Sequence, residues 1–308
     1  MSAAARLAEP DITAQTVDGR AVPAHLLGDM AEGDMRGDLA AQMEEHGYLL
    51  LRGVHDAGEV EAARLEVLGR LGEVDEIAAP YSGAIATGRS RRAELHPDLG
   101  AFWRSVSDGP ALRRVINGSR IKSLAARLFG EPSAHFGFAW LRAMPAGRAS
   151  PLHVDHPYMN RGSGRLVTVW TPLGHVGRDE GPLYVVENSH RDQDIRTRFD
   201  GHDVDRDPSR PGHFEAHPAD IAAVRGVRLL SAAFAPGDCV IFGMFTAHAA
   251  FDNATRTGRV RLSCDTRFQP AADPMDERFA GADPPAHGGK GYGCLSAARP
   301  MNAPMLRR

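Results

Sequence analysis

Three hundred and eight residues, 43% of them hydrophobic and 24% charged, are enough to bury a sizeable core. The formal charge of −3, from 36 basic and 39 acidic residues, lacks the basic excess that draws a domain onto a phosphate backbone or an anionic membrane, so neither nucleic acid nor membrane is an expected partner. No run reaches the roughly 18 to 20 apolar residues of a membrane span, and the first thirty residues, with Glu9, Asp11, Asp18 and Asp29, are too acidic for a signal peptide; the expected setting is the cytoplasm.

Along the chain, residues 1 to about 35 show no sustained period and are expected to form an arm with a short strand or two. Gly33 to Glu45 turns helical, and His46 to Val54, an apolar run closed by glycines, has the signature of a buried strand. Glu59 to Leu71 repeats apolar residues in helical register, and Pro97 to Phe129 reads as further helix with Gly130 as its stop. After Pro132 short β-like runs alternate with turn residues: Ala134 to Met144, Leu152 to Asp155, Arg165 to Pro172, Pro182 to Val186, Val227 to Phe234, Cys239 to Phe245 and Arg259 to Arg267. That order implies a mainly β fold, a sandwich or jelly roll with the N-terminal helices packed outside it. The stretch 191–226 is too long for a turn and is expected to be a lid with one short helix near Ala219 to Val224, while 271–308 reads as an irregular tail. The whole is expected to be a single domain, with a helical front end over 1–130 and a β core over 131–270. Cys239, Cys264 and Cys294, odd in number and widely spaced, fit reduced thiols and neither a disulfide framework nor a zinc knuckle.

Three His-x-Asp triplets occur, at His96/Asp98, His153/Asp155 and His190/Asp192. Asp98 follows Pro97 at an expected helix start, where it serves as a first-turn acid, and His190/Asp192 reads as a turn. Pro151 to Asp155 has strand character, in which residues i and i+2 project from one face, so His153 and Asp155 can reach one ion. A non-haem iron(II) site needs a second imidazole and keeps three positions open for cosubstrate and dioxygen. His248, just beyond the turn and apolar strand Phe234 to Phe242, is the best candidate. Arg259, eleven residues on, opens the next strand and offers a two-pronged donor for the distal carboxylate of a dicarboxylate such as 2-oxoglutarate.

From about His46 to about Phe268 the chain resembles the phytanoyl-CoA dioxygenase family of iron(II)- and 2-oxoglutarate-dependent oxygenases. The resemblance lies in Gly47-Tyr48-Leu49, Arg52-Gly53-Val54, the triplet His153-Val154-Asp155 with Tyr158, Trp170 to Val176, Glu180 to Leu183, Asn188-Ser189-His190, Pro236-Gly237-Asp238, and in Asn253, Thr255, Arg259 and Ser263 after His248. It implies a double-stranded β-helix (jelly-roll or cupin-like) core that binds Fe(II), 2-oxoglutarate and O2. His153, Asp155 and His248 are then the metal ligands, Arg259 the partner of the distal carboxylate, Trp170 a wall of the cosubstrate pocket, and Ser263 a residue beside it. Where the family often has Gly-Ser after the distal histidine this chain has Ala249-Ala250, and Arg142 to Pro145 stand where a lysine is common; Thr246, Thr255 and Arg261 are the candidate compensating donors.

An aspartate at position 155, where related halogenases carry a small residue, implies hydroxylation of a C–H bond with release of succinate and CO2, desaturation or ring formation sharing the same oxidant. A cupin-like isomerase or hydrolase would need no 2-oxoglutarate and would give Arg259 no task; a non-catalytic binding protein on the same barrel should have lost a ligand. The substrate is expected to be a small molecule, an acyl thioester, amino acid or natural-product intermediate, in a wall formed by Phe136, Phe138, Trp140, Tyr158 to Asn160 and the lid. The sequence sets no oligomeric state.

Overall fold

In a computed structural model the chain is described over residues 15–282, 284–285 and 299–303; Cys294, the first fourteen residues and most of the tail lie outside them. After a short antiparallel pair, β1 (Thr16–Val17) and β2 (Arg20–Ala21), two sheets form the centre. One contains, in spatial order, β3 (Leu27–Asp29), β10 (Leu229–Ser231), β9 (Leu183–Val186), β12 (His248–Ala250) and β7 (Ser150–His153). The other runs β4 (Tyr48–Leu51), β11 (Cys239–Gly243), β8 (Val167–Pro172), β13 (Arg261–Pro270) and β5 (Ser133–His135), with β6 (Trp140–Met144) also paired to β13. Apart from the parallel pair of β3 and β10, these pairings are antiparallel.

Alternation along the strands decides what each face covers. Tyr48 and Leu50 of β4, Trp170 of β8, Leu183 and Val185 of β9, Leu230 of β10 and Val240 and Phe242 of β11 meet in one apolar cluster between the sheets. The opposite faces carry helices. Leu49, Leu51, Val169, Ile241 and Phe268 pack against α1 (Leu39–His46) and α6 (Ser119–Phe129). Leu152, Tyr184, Val186 and Leu229 on the five-stranded sheet pack against α7 (Gln193–Phe199) and α8 (Pro218–Arg225). The longest helix, α2 (Ala57–Glu73), is capped by Asp56, whose carboxylate accepts from the amides of Gly58 and Glu59, and it buries Val60, Val67, Leu68 and Leu71 against α5 (Pro110–Ile116), Leu141 and Leu262. Each such aliphatic side chain contributes about 1.5–3 kcal/mol.

The early run of β4 and the α2 helix stand where the sequence places them, and local breaks account for the differences elsewhere. Pro97 to Phe129 is three helices, α4 (Leu99–Ser107), α5 and α6, because Gly109-Pro110 and Gly118 interrupt it. A further turn of helix, α3 (Arg92–Leu95), precedes them. Asp98 is the N-cap of α4 and accepts from the Ala101 amide, one step before a first-turn acid. Helix α1 begins at Leu39 and not near Gly33, with Asp38 as its cap. Ala134 to Met144 is two strands, since Phe136 to Ala139 leave the ladder. The 191–226 stretch holds two helices, α7 and α8, the first capped by Asp192. Gly47 ends α1 at φ 75°, and a Cβ there would lie 2.3 Å from His190 Nδ1, so this turn takes only glycine. No described helix is long and apolar enough to cross a membrane.

Candidate metal centre

His153 closes β7 and His248 opens β12, and the two are directly opposite in the ladder. Their rings lie 4.3 Å apart between centroids. Each Nδ1–H donates at 2.9 Å to the carbonyl two residues back, Pro151 for His153 and Thr246 for His248, which leaves each Nε2 lone pair free. Asp155 supplies the third donor: its Oδ1 is 3.5 Å from His153 Nε2 and 3.9 Å from His248 Nε2. All three ligand atoms fall within 4.8 Å of one another, and all three residues are buried. Two imidazoles and one carboxylate on a single side of a point form the donor set of a 2-His-1-carboxylate site.

The strand pleat does not bring Asp155 to this position. β7 ends at His153, and Asp155 has helical dihedrals (φ −76°, ψ −21°) ahead of the short turn His156–Tyr158. Its other oxygen is fixed. Thr168 Oγ1 donates to Asp155 Oδ2, and Arg267 Nη2 donates to the same atom at 3.0 Å. Burial alone would raise the Asp155 carboxyl, but the Arg267 guanidinium beside it works the other way, and the group is held well below the usual carboxylate range. Burial, with His153 beside it, pushes His248 down to about 3, so its imidazole is neutral and ready to ligate.

The remaining candidates separate. Trp170, in the middle of β8, is 3% exposed and meets Phe234 edge-on at 4.7 Å. Arg259 forms an ion pair with Glu180, Nη1 to Oε1 2.7 Å, and its side chain is about a third exposed. Arg261, two residues on, is buried: its Nη1 donates to Ser263 Oγ, its guanidinium lies 6.0 Å from the Trp170 ring centre, and its Nε meets no acceptor among the described residues. Burial brings it down to about 10, so it stays a cation at neutral pH. Ser263 is therefore an acceptor for Arg261. Thr246 Oγ1 donates to the Gly47 carbonyl at 2.7 Å, which ties the loop before His248 to the start of β4. Thr255 Oγ1 donates to Asn253 Oδ1, and Asn253 Nδ2 donates to the carbonyls of Met144 and Arg259.

The remaining histidines around the site and in the 191–226 stretch find partners. His202 is buried at 3% exposure with Nε2 3.1 Å from the Arg210 carbonyl, and His217 caps α8 while its Nε2 sits 3.1 Å from the Val17 carbonyl. His156 stacks on Phe245, and His190 Nε2 lies 3.1 Å from the Glu44 carbonyl. Residues 213 and 214 lie alongside β7, through a bridge from His213 to His153 and the Phe214 amide on the Leu152 carbonyl, so the long connection reaches the metal ligand itself. The sequence reading missed Thr168 and Arg267. Both belong to alternating inward sets, Thr168 with Trp170 and Arg267 with Arg261, Ser263 and Asp265, and that period is their one visible signal.

The family model described as Phytanoyl-CoA dioxygenase (PhyH) matches residues 43–261, more than half of the chain. Two curated relatives, each a "1-deoxypentalenic acid 11-beta-hydroxylase", are 27% identical: that of Streptomyces exfoliatus over 262 residues and that of Streptomyces arenae over 259, in both cases 78% of this chain and 83% of the relative. Among solved structures, EctD from S. alaskensis superposes with a TM-score of 0.54 at 18% identity, over 85% of this chain and 86% of that one. The non-haem alpha ketoglutarate dependent carbocyclase SnoK from nogalamycin biosynthesis gives 0.53 at 19% identity, over 86% and 95%. Both share the fold.

Proposed function

The chain belongs to the phytanoyl-CoA dioxygenase family, and on that footing we propose that His153, Asp155 and His248 hold the iron of an Fe(II)- and 2-oxoglutarate-dependent hydroxylase acting on a small, natural-product-like molecule. The observation that carries this reading is the convergence of two Nε2 lone pairs and Asp155 Oδ1 within 4.8 Å inside a buried site, with both imidazole tautomers fixed by carbonyls. The donor set suits a divalent first-row ion and leaves one side of it open. Iron with 2-oxoglutarate and O2 supplies an oxidant able to break a C–H bond, with succinate and CO2 released.

The protein's own residues orient and enclose. Thr168 and Arg267 hold Asp155 Oδ2, so that Oδ1 alone turns towards the imidazoles. Arg261, a buried cation with an unmatched Nε beside Trp170, fits the distal carboxylate of 2-oxoglutarate; Arg259 is already matched by Glu180. We assign the distal-carboxylate role to Arg261, and to Arg259 and Glu180 a role in fixing the turn that leads into β13. The two facing sheets support a double-stranded β-helix reading, and the shared cluster of α2, α5, β6 and β13 residues supports one catalytic domain. The buried free thiols Cys239 and Cys264 suit a reducing, cytoplasmic setting.

The test is an anaerobic titration of Fe(II)-loaded protein with 2-oxoglutarate, read as the weak visible charge-transfer band of the chelate. The band is expected in the wild type and absent in Asp155→Ala and His248→Ala. Iron bound without the band would sink the reading.

A further inference from the structure

We infer that Arg267 holds a carboxylate of the substrate beside the metal position, so that the substrate is an organic acid on an apolar skeleton. This rests on the iron and 2-oxoglutarate reading above. Arg267 is 1% exposed, on the inward face of β13. Nη2 donates to Asp155, and the guanidinium carbon lies 4.3 Å from the centre of the Trp140 ring. Nε and Nη1 are out of reach of solvent and meet no acceptor among the described residues. One N–H is enough to hold Asp155; a permanently charged fork with two further buried donors calls for an oxygen ligand.

Charge gives a second, independent argument. Asp155 and Arg267 cancel, as do Arg142 and Asp265, joined at 2.9 Å. A divalent ion adds two positive charges and the chelating carboxylate of 2-oxoglutarate removes one, while the distal carboxylate is matched by Arg261. One positive charge is left over in a poorly solvated enclosure, and a single further carboxylate cancels it. The wall around that position is apolar: Phe136, Trp140, Tyr158, Met159, Leu166 and Met244 form one cluster. Tyr158 stands edge-on to His153 at 5.9 Å, so the cluster that covers Arg267 also borders a metal ligand. A ligand that reaches these donors meets an apolar surround, which suits an apolar body with one anionic end.

The experiment titrates the anaerobic Fe(II) and 2-oxoglutarate complex, by calorimetry, with acid and amide pairs of increasing size: benzoate and benzamide, cyclohexanecarboxylate and its amide, adamantane-1-carboxylate and its amide. At least one acid is expected to bind about tenfold or more tightly than its amide, the value of one charge-assisted hydrogen bond, and Arg267→Met is expected to abolish the difference. Arg267→Lys, which keeps a charge beside Asp155 without the fork, is expected to reduce the ratio about threefold or more. The inference is overturned if no acid outbinds its amide, if the ratio is unchanged in Arg267→Lys, whether or not the methionine variant folds, or if the acid is displaced competitively by 2-oxoglutarate, which would make the subsite the cosubstrate's. The visible band is read in the same samples: band present without acid preference removes the role of Arg267 alone, and band absent removes the iron reading and this inference with it.

Discussion

Arg259 Nη1 lies 2.7 Å from Glu180 Oε1, and with that contact the arginine eleven residues past the distal histidine has a carboxylate of its own. Arg261, buried and short of acceptors, does not. Arg261→Ala is therefore expected to raise the Kd for 2-oxoglutarate by about 10- to 100-fold, the loss of a charge-assisted contact, and Arg259→Ala by less than about fivefold. Calorimetric titration of the two variants side by side decides it; the reverse order would return the carboxylate to Arg259.

Thr168 Oγ1 fixes the Asp155 oxygen that does not face the imidazoles. Thr168→Val keeps the shape and removes the donor. Iron affinity, measured by competition with a chromophoric chelator, is expected to fall about 10- to 100-fold with little change in Tm. An affinity equal to wild type would mean that Arg267 positions Asp155 unaided.

His55 is 5% exposed, and burial lowers its imidazole to about 4. Unfolded, the ring takes its proton near 6.5, so the unfolded chain binds more protons between about 4 and 6.5 and stability falls as pH drops through that window. The full contribution is present above pH 6.5 and amounts to about 3 kcal/mol. Denaturant melts across this range are expected to show a shallower acid loss in His55→Gln than in the wild type; parallel curves would show that other groups control the acid limb.

Glu76 and Arg92 form an ion pair with both side chains fully buried, and Arg92 also lies over the rings of Phe102 and Trp103. The same groups hold the described tail residues 299–301: Arg92 Nη1 donates to the Arg299 carbonyl, and Glu76 Oε1 accepts from the Met301 amide. Glu76→Ala leaves a buried cation unmatched and is expected to cost about 3–5 kcal/mol, whereas Glu76→Leu with Arg92→Met together is expected to recover most of the loss. Thermal melts of the single and double variants test this; equal losses would show that the pair acts only through the tail.

Much of the site is legible in the sequence because its signals are local. His153 precedes Asp155 by two positions in an apolar run, and His248 follows an apolar strand and a Pro-Gly-Asp turn, so spacing together with local strand context singles them out among three such triplets. The reason given by spacing is incomplete: Asp155 converges with His153 because the chain leaves the strand, a fact set by the turn at His156–Tyr158. Arg267 and Thr168 stayed hidden because their roles depend on which strands become neighbours, and β8 and β13 are far apart in sequence. Helix α7 was also missed. Its sequence, Gln193 to Phe199, buries only Ile195 and Phe199, too few apolar residues to show a period. In the helical front end, Gly109-Pro110 and Gly118 were visible breakers, and the apolar periodicity of the flanking helices masked them.

Cross-strand pairing of His153 with His248 also makes the ion a monitor of assembly. β12 sits between β7 and β9, and a slip of one residue against either neighbour would turn the His248 ring to the helix-covered side of the sheet, replacing it with an alanine. A misregistered chain could still collapse and bury much of its apolar surface, but it would present only two of the three ligands. Metal uptake thus discriminates among compact forms of the same polypeptide: tight binding selects the correctly paired molecules, and mass action draws the others towards them.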